Sequence, residues 1–196
     1  MNETSLPKLD EPGAGLPPVE WAVARFILIP WYLGTTTPQH AFAEMEQQAK
    51  TILQIARSLS PDKLSSRILV PRLPGLEDSS RYWSVAMTVQ HLVIVNQQMM
   101  RVVISLSNGK VPRSIASTAA VKPSPDVVPD AILSEYEKQL ESLLETFRTT
   151  DTERFPSAKY SHPWFGALSA RDWLLFVALH QRVHIRQIKE IVRRLD

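Results

Sequence analysis

His180 and His184 stand four residues apart in ALHQRVHIRQI, and His91 lies in a separate apolar segment, MTVQHLVIVNQ. An i, i+4 pair projects from one face of a helix. Two imidazoles so placed, joined by a third from a neighbouring helix, can hold a divalent ion and leave positions open for water or substrate. The same three side chains have a plainer reading as inward histidines, each satisfied by a backbone carbonyl or a buried water. HQRVH has the spacing of the zincin HExxH motif, but Gln181 takes the place of the glutamate. An amide cannot act as a general base, so the pair resembles that ligand set without its protease chemistry.

Four stretches carry helical periodicity and must position these residues. The first spans about Pro38 to Leu59, with Thr37 as N-cap and Pro38 at the first helical position. The second spans about Ser80 to Ser107 and ends at Asn108-Gly109. The third spans about Pro129 to Thr149, and the fourth runs from Ser169 to Leu195 with Asp172 in its first turn. At about 100° per residue His184 lies roughly 40° from His180, inside the stripe of Trp173, Val177, Ile188 and Ile191. Arg182, Arg186, Lys189 and Arg193 fall on the opposite face, a solvated stripe expected to pair with Glu135, Glu141 or Glu145 of the third helix. His91 shares its face with Met87, Val95, Gln98 and Val102, and Gln98 is placed to orient a substrate or a ligating water.

These elements predict an all-α chain, a four-helix bundle with long connections and an N-terminal extension. Residues 1–18 read as a flexible arm and 19–196 as one domain, with a short helix or irregular cap over Val19 to Leu33. The linkers 60–79, 109–128 and 150–168 are long for a bundle, which permits more than an up-down topology. A strand is possible in Arg67–Val70, with no evident partner.

Composition narrows the chemistry. There is no cysteine, which excludes disulfides, thiolate nucleophiles within the chain and cysteine-ligated zinc. A formal charge of +2 gives no electrostatic footprint for nucleic acid, and no nucleic-acid motif is present. The N-terminal residues do not read as a signal peptide, and Val19 to Gly34 carries Glu20, Arg25 and Pro30, a poor membrane span. A cytoplasmic protein without membrane association is expected. His40 is assigned to a surface or capping role and His162 to the loop before the last helix; Trp164 and Phe165 line a mouth or plug one end of the bundle.

Three stretches in this order resemble the DinB-like superfamily of metal-binding four-helix bundles, which includes DNA-damage-inducible proteins and bacterial thiol S-transferases. They are YWSVAMTVQHL, HPWFGALSARDWLLF and ALHQRVHIRQI, the last similar to the family's H-x-x-x-H-x-x-Q-I ending. The resemblance implies that His91, His180 and His184 bind a divalent metal, zinc or nickel, in the bundle core, and that the protein is a homodimer. It implies a metal-dependent thiol S-transferase or hydrolase acting on a small-molecule or thiol substrate. The alternative is a non-catalytic metal-binding bundle of the stress-response or structural kind. Met87 stands where many members carry glutamate, and the N-terminal extension and the 109–128 linker are further departures.

Overall fold

The computed structural model describes residues 7–195. The chain opens with α1 (Pro18–Val23), a π-helical turn (Ala24–Leu28) and α2 (Ile29–Thr35), which run on into one another. There follow α3 (Pro38–Arg57), the short α4 (Pro61–Ser65), α5 (Val85–Ser107), α6 (Pro129–Thr149) and α7 (Ala170–Arg193). Two small antiparallel pairs sit between them. Ile68–Leu69 (β1) joins Tyr82–Trp83 (β2), and Lys159–His162 (β3) joins Gly166–Ser169 (β4).

Local chemistry sets each boundary. The Thr37 hydroxyl accepts from the His40 amide at the head of α3. Ser169 and Asp172 form a reciprocal capping box at the head of α7, satisfying two amides that a helix start leaves without partners. α5 begins later than its apolar pattern suggests. Residues Asp78–Ser80 form a 3-10 turn, Tyr82–Trp83 are drawn into the strand pair, and Ser84 then caps the helix through the Met87 amide at 3.1 Å. The strand expected at Arg67–Val70 thus finds its partner in residues whose pattern had placed them in a helix. The β3–β4 hairpin was not evident either, because its core pattern is short and rich in aromatics that fit a loop equally well. Gly166 closes it at φ +85, where an added Cβ would lie 2.8 Å from the Arg25 guanidinium.

The four long helices are α3, α5, α6 and α7. Both α3 and α5 pack against α6 and α7. The helices that follow one another as α3 to α5 and α6 to α7 therefore stand across the bundle from each other. This is the physical reason for two of the long linkers, since each must cross an end of the bundle. It also corrects the ion pairs expected for the basic stripe. Glutamates of α6 lie on the wrong side, and Arg182 instead makes a two-pronged contact with Glu44 of α3 at 2.6 and 2.7 Å. Arg193 pairs within its own helix with Glu190.

The core divides in two. One cluster holds Met99, Leu106, Leu143, Phe147 and the α7 residues Trp173 to Ala178. The other holds Ile52, Val89, Leu92, Tyr136, Ile188 and Ile191. Each large buried side chain contributes about 1.5–3 kcal/mol of apolar burial. Between the clusters α7 carries the buried polar residues Gln181, His184 and Gln187. The N-terminal arm expected over residues 1–18 has its first six residues outside the described ones. Of the rest, Asp10 donates its amide to Asp78, and the amides of Gly13 and Gly15 donate to Glu77 Oε1 at 2.8 and 3.3 Å.

Candidate metal centre

The polar layer brings His91 of α5 against His180 and His184 of α7. The Nε2 atom of His180 lies 3.2 Å from Nε2 of His91 and 3.2 Å from Nε2 of His184. Two nitrogens on a tetrahedral ion at about 2.0–2.1 Å stand roughly 3.3 Å apart, which both His180 distances match, and the three ligand nitrogens all lie within 4.8 Å of one another.

Hydrogen bonds on the far side of two rings settle which nitrogen is bare. His91 Nδ1 is 2.8 Å from the Val121 carbonyl, which can only accept, so Nδ1 bears the hydrogen. Val121 belongs to a 3-10 turn (Ala119–Val121) in the long loop between α5 and α6. His184 Nδ1 is 2.8 Å from Gln187 Oε1, while Gln187 Nε2 donates to the Ser80 carbonyl at 2.7 Å. The second bond fixes the amide, so Oε1 accepts and His184 Nδ1 donates. Both rings therefore turn unprotonated Nε2 lone pairs toward His180. His180 can donate from Nε2 to only one of them, and its Nδ1 is buried without a partner among the described residues.

Lone pairs converging in a buried site repel unless a cation draws them together, which is the chemical fit of this donor set to a divalent metal. Burial is the first cause that lowers all three histidines. His91 and His180 fall well below the usual imidazole value, helped by the charge of neighbouring rings, and His184 falls to about 4. Neutral imidazole is the ligating form. Trp83 stacks on His184 with ring planes 12° apart and tilts against His91 at a centroid distance of 5.0 Å. Lys122 lies 5.3 Å above the Trp83 ring and pairs with Glu77 at 2.7 Å.

The triad opens on a cavity of about 1160 Å³. His162, Trp164, Phe165 and Gln98 also line it. His162 stands at the end of β3 and accepts the Trp164 amide through Nδ1 at 3.1 Å. Its ring stacks on Phe165 at 4.8 Å and lies against Phe176 at 4.7 Å, one helical turn before His180. His162 therefore belongs to a strand pair where a loop was expected, and it lines the cavity on which the triad opens. The Trp164 carbonyl accepts from Trp21 Nε1 at 2.8 Å, tying the hairpin to α1. His40 is exposed on α3 and does not join the cluster. Gln181, at the position of the zincin glutamate, faces another way: Tyr136 donates to its Oε1 and its Nε2 donates to the Met45 carbonyl. The roles of Val121 and Gln187 carried no signal in the residue pattern beyond Gln187 itself, which the H-x-x-x-H-x-x-Q ending contains.

Among solved structures, the chain is similar to TT2238, a four-helix bundle protein, at 23% identity and a TM-score of 0.55, covering 78% of this chain and 98% of that one. It is also similar to YfiT from Bacillus subtilis, described as a probable metal-dependent hydrolase with an unusual four-helix bundle topology. There the identity is 18% and the TM-score 0.58, over 80% of this chain and 86% of that one. At such identities the likeness shows the fold. No curated protein matches the sequence. The DinB superfamily model matches residues 74–188, a stretch that begins before Ser80, takes in His91 and Val121, and ends just past Gln187, and the chain belongs to that superfamily.

Proposed function

We propose that His91, His180 and His184 bind one divalent metal ion, zinc or nickel, and that the protein is a metal-dependent enzyme of the thiol S-transferase or hydrolase kind. The convergence of three Nε2 atoms, two of them on buried rings whose hydrogens are committed elsewhere, carries this reading. YfiT, with its printed description as a probable metal-dependent hydrolase, agrees with it.

A divalent ion in that position supplies Lewis acidity, which makes a thiol or water nucleophilic near neutral pH. The chain's own residues do the remaining work. Val121 and Gln187 orient two of the rings and raise their basicity. Trp83 covers the His91 and His184 rings on one side. Of the carboxylates that line the cavity, Glu20 accepts from the Gly75 amide at 2.6 Å and Glu77 is held by Lys122. Both are already engaged by donors of the protein itself. This favours a thiol, which needs little help in losing its proton, over hydrolysis by a base-activated water. The cavity beside the triad favours an enzyme over a bundle in which the ion only staples helices. A homodimer is also proposed, with Phe26, Ile27 and Trp31 as the exposed apolar residues that a partner would cover.

The test is metal content per chain by mass spectrometry after dialysis, joined to an assay of thiol addition to an activated electrophile. About one zinc or nickel per chain is expected, with thiol consumption that follows the metal. Metal bound without turnover would support the non-catalytic alternative, and no retained metal would end both readings.

A further inference from the structure

We propose that the cavity takes a long-chain amphiphile, with its hydrocarbon body along the apolar walls and its one polar group at the histidine triad. The proposal rests on the metal-site reading for its polar end only. Sites for small ligands usually run to about 300–1000 Å³. This one, at about 1160 Å³, exceeds what a metal and a compact polar substrate would fill. Apolar side chains from three elements make up much of its wall. α5 contributes Val95, Met99 and Val102, α7 contributes Phe176, Leu179 and Val183, and the N-terminal helix closes the third side.

The exposure of that third side points the same way. Val19 is 77% exposed, Val23 40% and Leu28 54%, and all three line the cavity. Apolar residues that remain in water and converge on one hollow are the signature of a surface that a ligand completes. Cationic side chains stand at the same cavity as well. Arg101 and Arg186 both line it, are exposed, and form no ion pair with any described residue. A neutral hydrocarbon would leave them without a role, whereas an amphiphile with an acidic group is drawn to such an entrance. The cations attract the acidic head as it approaches, the apolar walls hold the hydrocarbon chain, and the triad receives that same head.

The probe is a naturally fluorescent polyene fatty acid, titrated into the full-length protein both metal-loaded and metal-stripped. Saturable fluorescence enhancement is expected in both forms, tighter in the loaded one. Displacement by saturated acids of eight, twelve and sixteen carbons should strengthen with length, because each buried methylene is worth about 0.8 kcal/mol, or roughly fourfold. Val102→Trp, which fills the cavity, should weaken binding at least tenfold. Ile104→Trp, on the same helix but away from the lining, should leave binding and melting unchanged and so controls for folding. Chain-length independence, or equal binding by Val102→Trp, overturns the proposal. So does a protein that sediments as a dimer and excludes the probe, since a second copy would then cover the mouth. Metal content, measured on the same samples, separates the two failures: retained metal without probe binding sinks the amphiphile alone, and probe binding without metal sinks the metal site alone.

Discussion

Gln187 holds the His184 ring at 2.8 Å through Oε1 while its Nε2 donates to the Ser80 carbonyl at 2.7 Å. One amide therefore locks an imidazole tautomer and ties α7 to the turn that precedes α5. Partners of this kind commonly govern metal affinity by 10–100-fold. Gln187→Leu should lower zinc affinity by about that factor, measured by competition with a chromogenic chelator. Gln187→Glu keeps an acceptor for His184 but loses the bond to Ser80, and should fall between. Wild-type affinity in the leucine variant would show that His184 is held by packing against Trp83 alone.

His91→Ala, His180→Ala and His184→Ala should each lose the ion on dialysis, because two imidazoles bind far more weakly than three. His40→Ala and His162→Ala should keep it. His40 is exposed, and His162 is engaged with the Trp164 amide. In the wild type, free metal at roughly one hundred times its dissociation constant should add about 2.7 kcal/mol of stability. Metal loss from the His162 variant equal to that from His91 would require a fourth protein ligand.

Much of this site was legible because helical phase is a strong constraint. The i, i+4 spacing put His180 and His184 on one stripe, and the face of His91 followed from Val95 and Val102 beside it. What the phase could not carry was the partner of each Nδ1. Val121 offers a backbone carbonyl from a loop thirty residues away, and a carbonyl leaves no trace in residue type. Bundle topology was hidden for a related reason. The apolar stripes of α3, α5, α6 and α7 are compatible with several neighbour arrangements, so Arg182 was expected to meet α6 and instead meets Glu44 of α3. The two strand pairs escaped because two or four residues give too few periods to distinguish a strand from the end of a helix or a loop.

The metal-free protein should lose stability on acidification. Burial pushes His162 down to about 3 and His184 to about 4, whereas an imidazole in the unfolded chain titrates near 6.5. Between those values the unfolded chain binds the proton and the folded chain does not. Stability is therefore full above about pH 6.5 and declines as pH falls toward 4 and then 3, by up to about 1.4 kcal/mol per pH unit for each group. Urea midpoints at pH 7.5, 6 and 5 should show the decline, and His162→Phe should make it shallower. A flat profile would mean that water or a proton reaches these rings in the folded state.

Asn96 should be a stabilising site to replace. It lies on α5 at 1% exposure, and neither its Oδ1 nor its Nδ2 has a partner among the described residues. A buried amide without hydrogen bonds carries a penalty of about 1–3 kcal/mol, which an apolar group of similar size avoids. Asn96→Leu should therefore raise the melting temperature, at about 2–4 °C per kcal/mol for a chain of this size. Asn96→Ala removes the same polar atoms but leaves a hollow, so it should gain less or lose. The order of the two variants is the decisive reading in a thermal melt of metal-stripped protein. If both fall below the wild type by a similar margin, Asn96 is satisfied by a buried water that neither replacement can hold, and the cost assigned to its amide is not there.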